Sequence, residues 1–364
     1  MREGKKGMAN GERMSKKGKG SMKKCPLLLM SDFYHIAGKA DDLLELYEED
    51  TEMKKLLLAQ ILYFRGEVEK ASSSLRDIHA DALDFDARVG LEMMRALCAL
   101  HQGDIAVWQD VKQQMKAMLD HCADQREQLL FWTASIDSMI DDATAFPQWF
   151  KKGELNILPM DAYSCAMFFY GKYLFVSGFE LLEEEKGENF QLFMQGICMT
   201  LEPQISLAHT SHAVLSEIYL RLLCAMAYHG ARDNERAAHH IDAAIELALP
   251  DRMIMPLSEA CGTLDFLIDE RLKQCGGDIR NQVKKLSVIS SETFVQVHNE
   301  MLERSKTAAW TKREREIARL GAYGLSNREI SDYLCISINT VKQILKTAMD
   351  KVGSHHRHEL IAYL

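Results

Sequence analysis

Four polar residues near the C-terminal end have side chains and a spacing that suit contact with DNA. They recur at i, i+3, i+4 and i+7, which places them on one face of a helix: Asn339, Lys342, Gln343 and Lys346. An amide side chain can hydrogen-bond adenine in a bidentate manner, and a lysine can reach guanine or a phosphate. The same face on an isolated amphipathic helix would simply be solvated, so the neighbouring elements decide between the two interpretations.

Those neighbouring elements carry the start signals of three successive helices. Thr311 with Glu314 forms one capping box, and Ser326 with Glu329 forms a second. Ser337 can cap a third helix after a short turn. This layout is typical of a helix-turn-helix, in which the last helix enters the major groove of DNA.

The third helix, at about residues 337–351, also has a clear apolar face opposite the polar one. Its apolar residues recur at helical spacing and are predicted to be buried: Val341, Ile344, Leu345, Ala348 and Val352. The sequence therefore predicts a recognition helix with one side in a small core and the other facing double-stranded DNA.

The same run resembles the LuxR-type DNA-binding domain. The resemblance rests on T-x-R-E from Thr311, G-L-S-N-x-E-I from Gly324, L-x-I-S-x-x-T-V-K from Leu334 and K-x-G from Lys351. It implies a four-helix domain over residues 309–364 in which Lys342, Gln343 and Lys346 face bases. The remaining DNA-binding residues that it implies are Thr311, Ser326, Asn327, Arg328, Ser337, Asn339 and Thr340.

The resemblance also implies a homodimer on DNA and a pseudo-palindromic binding site. In this family a fourth helix contributes the dimer contact, which would here involve Gly353, Arg357 and Leu360. RNA polymerase or another protein is the further partner expected of such a regulator.

Charge is distributed unevenly along the 364 residues. The net charge is −9 overall, but it is +7 over residues 1–24 and +3 over residues 309–364, which leaves −19 for residues 25–308. This pattern suits a protein that touches DNA at one end. It also raises the hypothesis that acidic helices of the body cover the basic DNA-reading face at rest.

Residues 25–290 read as successive amphipathic helices with short breaks, so we predict an all-α chain. A weak repeat around Gly66, Gly103 and Arg232 resembles the tetratricopeptide repeat, which predicts a helical-repeat solenoid; an irregular helical bundle is the alternative. Residues 243–267 also resemble the helical domain of MalT-like regulators, here without their upstream ATPase. Such a body can bind a small-molecule or peptide effector.

Other features predict little chemistry. No phosphate-binding loop or acid–base pair stands out, so we expect neither catalysis nor a cofactor. Nine scattered cysteines without a C-x-x-C pair are typical of a reduced, cytoplasmic protein, and we expect no metal site. The histidines at 355, 356 and 358 could bind a metal but are more often solvated. The aromatic residues around Phe168–Phe175 are core or line a ligand groove.

The expected organisation has four parts. Residues 1–24 are expected to form a disordered basic tail. The tail is an arm that binds nucleic acid, the product of a start codon assigned too far upstream, or an added tag. Residues 25–290 form the sensor domain, residues 291–308 a linker helix and hinge near Ser305, and residues 309–364 the DNA-binding domain. No stretch is long and apolar enough to span a membrane. We therefore predict a transcriptional regulator; the alternative is a helical-repeat adaptor whose DNA-binding module is vestigial.

Overall fold

A computed structural model describes residues 24–181, 188–302, 310–322, 325–334, 336–352, 354, 356–357 and 360. These residues form helices and turns without a strand, which confirms the all-α prediction. The body contains twelve α-helices within the described ranges: α1 Glu52–Phe64, α2 Val68–Arg76, α3 Phe85–Gln102, α4 Ile105–His121, α5 Arg126–Ser138, α6 Gln148–Lys151, α7 Tyr163–Leu181, α8 Glu188–Thr210, α9 Val214–Gly230, α10 Asn234–Ala248, α11 Met255–Leu272 and α12 Gly277–Met301. The C-terminal module adds α13 Lys312–Ala322, α14 Asn327–Leu334 and α15 Ile338–Val352.

Three helical hairpins form where the sequence suggested repeat turns. Gly66 and Gly103 join α1 to α2 and α3 to α4, and both have positive φ, of 82° and 66°. Arg232 takes the corresponding place between α9 and α10 with φ of 64°, a region that a non-glycine residue seldom adopts. Each hairpin packs its two helices together. The arrangement of these hairpins as a solenoid remains a prediction.

The body and the module have separate hydrophobic cores. The body core contains large, fully buried side chains such as Trp108, Trp132 and Phe131. Its N-terminal segment is tied to the far end of the body by the buried Asp251, which accepts hydrogen bonds from the Tyr34 hydroxyl at 2.6 Å and from the backbone N–H of Ala40 at 3.1 Å. Hydrogen bonds therefore join segments of the body that are far apart in the sequence.

The segment between body and module departs from the simple division drawn from the sequence. Helix α12 runs without interruption through position 290, where the sensor domain was expected to give way to the linker. It packs against both α11 and α3, and Val297 near its end is buried in the body core, so the last turns of α12 pack into the body as well. The expected hinge near Ser305 and the expected tail up to Lys23 lie outside the described residues, and the domain boundaries remain predictions.

Within the described part of the chain, no helix is long and apolar enough to cross a membrane. The described cysteines are not joined by disulfide bonds. Cys335 lies outside the described residues.

Candidate nucleic-acid interface

All three predicted helix starts in the module have their capping hydrogen bonds. The backbone N–H of Thr311 donates to Glu314 at 2.7 Å, and that of Glu314 donates to the Thr311 hydroxyl at 3.2 Å. Ser326 and Glu329 repeat the reciprocal pair at 2.6 and 3.2 Å. The Thr340 N–H donates to the Ser337 hydroxyl at 3.0 Å. The capping predictions are confirmed, and they fix where α13, α14 and α15 begin.

The inner face of α15 builds the core of the module. Val341, Leu345 and Ala348 are buried, whereas Ile344 and Val352 from the predicted stripe are half-buried. The Trp310 indole N–H donates to the Ala348 carbonyl at 2.8 Å, which ties the segment before α13 to α15. A helix fixed on this side holds its opposite face in a defined orientation.

That opposite face is open to solvent. The four polar residues of this face are all exposed: Asn339, Lys342, Gln343 and Lys346. The acidic residues of α13 have cationic partners elsewhere in the module, because Glu314 pairs with Lys351 at 2.7 Å and Glu316 with Arg313 at 2.6 Å. Among the described residues, no carboxylate pairs with Lys342 or Lys346. Their positive charges therefore remain available to an approaching polyanion.

The residues predicted to face the DNA backbone cluster at helix N-termini. Thr311, Ser326 and Ser337 are the three capping residues themselves, and all three are exposed. Arg328, Asn339 and Thr340 are exposed as well, while Asn327 is half-buried. Helix N-termini present unpaired N–H groups and a positive dipole end, which favours phosphate.

The predicted dimer contacts have a different environment. Leu360 is completely buried in the core of its own module, and the Arg357 guanidinium donates to the Gly321 carbonyl at 2.9 Å. Gly353 lies outside the described residues. Leu360 and Arg357 therefore hold one module together, and a dimer contact at this end would have to use their neighbours' surfaces.

The module touches the body through α13 and α14. The Tyr333 hydroxyl donates to the Asp265 carboxylate on α11, and the Tyr333 ring meets the Phe266 ring edge-on with centroids 5.4 Å apart. The pKa of Glu329 is lowered mainly by its capping bond from the Ser326 N–H and also by the charges of His229 and Arg232. These two residues belong to the end and turn of the α9–α10 hairpin.

This arrangement corrects the hypothesis that acidic body helices cover the DNA-reading face. The body contacts α14 through Tyr333, whereas the outward residues of α15 stay exposed. The reason is local: α14 offers an aromatic ring and a carboxylate to the body, while α15 offers only solvated polar groups there. The charge asymmetry alone did not distinguish between these two helices.

A large cavity of about 1940 Å³ is lined by residues of both the body and the module. Its body wall is apolar and aromatic and includes Phe64, Leu97, Phe168, Phe175, Leu222 and Phe266. Its other wall is formed by module residues, among them Leu320, Leu325, Ser326 and Tyr333. Helix α15, which is described throughout, contributes no residue to it. Phe168, Phe169 and Phe175 of α7 all line this cavity, and Phe169 is also buried in the body core. Their role as a ligand groove remains a prediction.

A polar cluster that the sequence analysis did not identify lies at the wall of this cavity. Glu259 accepts hydrogen bonds from the hydroxyls of Tyr63 and Tyr219, each at 2.8 Å. The Tyr63 hydroxyl also lies 3.1 Å from His101 Nδ1. These residues come from four different helices without a shared motif, so no spacing in the sequence could reveal the cluster.

Comparison with known families assigns the module. Residues 308–364 match the family GerE, described as "Bacterial regulatory proteins, luxR family". No curated protein and no solved structure gives a significant match to the chain. The matched range coincides with the three capped helices and the exposed polar face of α15. Residues 308–364 are therefore a LuxR-type helix-turn-helix domain, and the chain that carries them is a DNA-binding transcriptional regulator.

Proposed function

We propose that this protein reads a specific DNA sequence with the outward face of α15. The observation that carries the proposal is the exposure of Lys342, Gln343 and Lys346 on a helix whose opposite face is locked in the module core. Gln343 would bond a base edge, and the lysines would reach guanine or phosphate. The capped N-termini of α13, α14 and α15 would hold the phosphate backbone.

This proposal is tested by mixing the full chain with fragmented genomic DNA, recovering the bound fragments and sequencing them over a series of salt concentrations. We expect a small set of enriched fragments and an affinity that falls steeply with salt, because each phosphate contact releases counterions. Recovery of fragments in proportion to their abundance, at every salt concentration, would contradict sequence-specific binding.

We propose further that two copies bind together on a pseudo-palindromic site with half-sites about one helical turn apart. A protein of this kind acts on chromosomal DNA, so we place it in the cytoplasm, with RNA polymerase or another protein as its partner. The test is to compare binding to a complete site and to a single half-site. We expect a strong gain from the second half-site, and equal affinity for both duplexes would argue for a monomer.

We propose that an effector controls DNA binding from the cavity between body and module, without a catalytic step. The cavity supports this because a small molecule or peptide there would touch α11 and α14 at once, and Ser326 at its rim is one of the backbone-facing residues. An occupant that separates the two walls would free the N-terminus of α14 for DNA.

A substitution can imitate such an occupant. A side chain added at Gly262 on α11 enters open space, and Gly262 lines the cavity. We expect Gly262→Phe to raise the DNA affinity of the full chain several-fold, within the usual range of about 1–3 kcal/mol for coupled sites. Gly196→Phe on α8 is the matched control, since it also enters open space but lies outside the cavity lining. Equal DNA affinity for the two variants would place effector control elsewhere.

A further inference from the structure

Three helices of the body bring together side chains that are suited to bind a metal ion. Glu202 on α8, Cys224 on α9 and His240 on α10 each place a ligand atom so that all three atoms lie within 4.8 Å of one another. The His240 Nε2 and Glu202 Oε1 atoms are 3.2 Å apart. Thiolate, imidazole and carboxylate are the three ligand types that Zn²⁺ takes in proteins.

The burial of these ligands forms a pocket with one open side. Cys224 is fully buried and His240 is 4% exposed, whereas the Glu202 side chain is 43% exposed and gives a path from solvent. Cys198 lies one turn before Glu202 on α8, and its thiol hydrogen-bonds that of Cys224. A second thiol therefore lies beside Cys224.

The surroundings of the cluster orient two of its members. The Tyr228 hydroxyl donates to Glu202 Oε1 at 2.8 Å, and the Tyr228 ring stacks on the His240 ring at an interplanar angle of 16°. Partners of this kind fix the geometry of metal ligands in known sites. Of the two ring nitrogens of His240, Nε2 is the one 3.2 Å from Glu202 Oε1, and Nδ1 is buried without a hydrogen-bond partner among the described residues.

We propose that Glu202, Cys224 and His240 bind one Zn²⁺ ion, with Cys198 or a water molecule as the fourth ligand. On binding, the Cys224 thiol would release its proton to solvent and ligate as the thiolate, while His240 would ligate as the neutral imidazole. A site that combines a soft thiolate with an imidazole and a carboxylate favours zinc over magnesium or calcium.

The metal would link α8 to the α9–α10 hairpin, whose turn lies on the side of the DNA-binding module. His229 and Arg232 close that hairpin, and their charges act on Glu329 of α14. Zinc would therefore stiffen the part of the body that contacts the module.

The experiment measures zinc retained by the full chain after loading with ZnCl₂ and desalting. We expect one zinc per chain in native mass spectrometry. With CoCl₂ in place of zinc, we expect a thiolate-to-cobalt charge-transfer absorption band. Cys224→Ser and Glu202→Gln should each lose the retained zinc. Tyr228→Phe should bind zinc about 10–100-fold more weakly, because it removes only a group that orients Glu202.

Cys98→Ser is the matched control, since Cys98 is also buried but lies on α3, and it should retain zinc like the unmodified chain. Glu202 is the most exposed ligand, so Glu202→Gln tests the site with least risk to folding, which circular dichroism checks. The proposal is overturned if the unmodified chain retains no zinc. It is equally overturned if Cys224→Ser and Glu202→Gln, both folded, retain as much as Cys98→Ser, since the metal would then lie elsewhere, such as at the histidines near His356.

Discussion

Helices α14 and α15 belong to the same small module but expose their polar groups to different surroundings. On α15 the outward face is open to solvent, and Lys342 and Lys346 have no carboxylate partner among the described residues. On α14, the Tyr333 hydroxyl donates to Asp265 of the body, and the charges of His229 and Arg232 help to lower the pKa of Glu329. One helix is thus free to meet DNA, while the other is coupled to the rest of the chain.

In the proposed function, the helix that contacts DNA bases is therefore not the helix that contacts the body. Base contacts specify a site, whereas contacts to the backbone position the protein on it. In the proposed function the base-reading residues lie on the exposed face of α15, whereas Ser326, at the N-terminus of α14, lines the cavity shared with the body. Under the proposed effector control, a signal in the body would change how the module sits on DNA without touching the residues proposed to read it.

The largest effect is expected from removing the reading side chains. Combined Lys342→Ala and Gln343→Ala should weaken binding to the preferred site by at least about 30-fold, since each base contact contributes about 1–3 kcal/mol. A mobility-shift titration measures this loss. The control combines Gln113→Ala with Lys116→Ala, an exposed pair of the same residue types on α4. If both pairs leave affinity unchanged, α15 does not read DNA.

The next effect concerns the contact between α14 and the body. Tyr333→Phe removes the hydroxyl that donates to Asp265 and keeps the ring against Phe266. We expect tighter DNA binding, by about 5-fold or more, because a weaker contact lets α14 leave the body. Tyr163→Phe at the start of α7 controls for loss of a hydroxyl. Unchanged or weaker DNA binding by a folded Tyr333→Phe variant would show that this contact does not restrain the module.

A smaller effect distinguishes the structural and DNA-contacting roles of Ser337. Ser337→Ala should destabilise the module by about 0.5–2 kcal/mol, whereas Ser337→Gly should cost only a few tenths, since glycine is tolerated at an N-cap. Hydrogen exchange of α15 amides in the full chain measures both changes. If the glycine variant is stable yet binds DNA weakly, the hydroxyl also contacts phosphate. Equal exchange in all three proteins would mean that the cap adds no stability.

The smallest effect is a pH dependence of the stability of the body, at the contact between α11 and α12. Hydrogen bonds from Arg280 and Lys284 on α12 lower the pKa of Asp269 on α11 to about 2. The folded pKa lies below the unfolded value, so this pair stabilises the fold above about pH 4 and loses its effect as the pH falls toward 2. We expect Asp269→Asn to remove about 1 kcal/mol at pH 6, because solvent screens part of the interaction.

Urea unfolding of the full chain at pH 6 and near pH 3 measures that dependence. Asp124→Asn, in an exposed loop, is the control. A deficit for Asp269→Asn that is as large at pH 3 as at pH 6 would rule out the ionised pair as its cause.

The sequence predicted those parts of the module that depend on neighbours along the chain. Capping pairs such as Ser326 with Glu329 act over three residues, and the two faces of α15 follow from helical spacing, so both could be predicted. The positions of the hairpin turns at Gly66 and Gly103 were predictable for the same reason. Even Arg232, a poor turn residue by type, was recognised from the helices on either side of it.

The sequence did not predict features that depend on tertiary contacts. Asp265 meets Tyr333 across the two units, and the Glu259 cluster draws on four helices, so neither leaves a local pattern. The total charge suggested that acidic helices cover α15, but the packing of one aromatic ring placed the body on α14 instead. Leu360 looked like a surface contact in the resemblance and is buried in the module core.

The most direct test of the central claim is selection of bound duplexes from a random-sequence DNA library, carried out with the full chain and with Gln343→Ala. We predict that the unmodified chain enriches a pseudo-palindromic motif. The Gln343→Ala variant should enrich a motif that has lost its preference at one position in each half-site, and the other positions should be retained. Enrichment of the same motif by both proteins, with no position relaxed, would contradict the claim that the outward face of α15 reads the DNA.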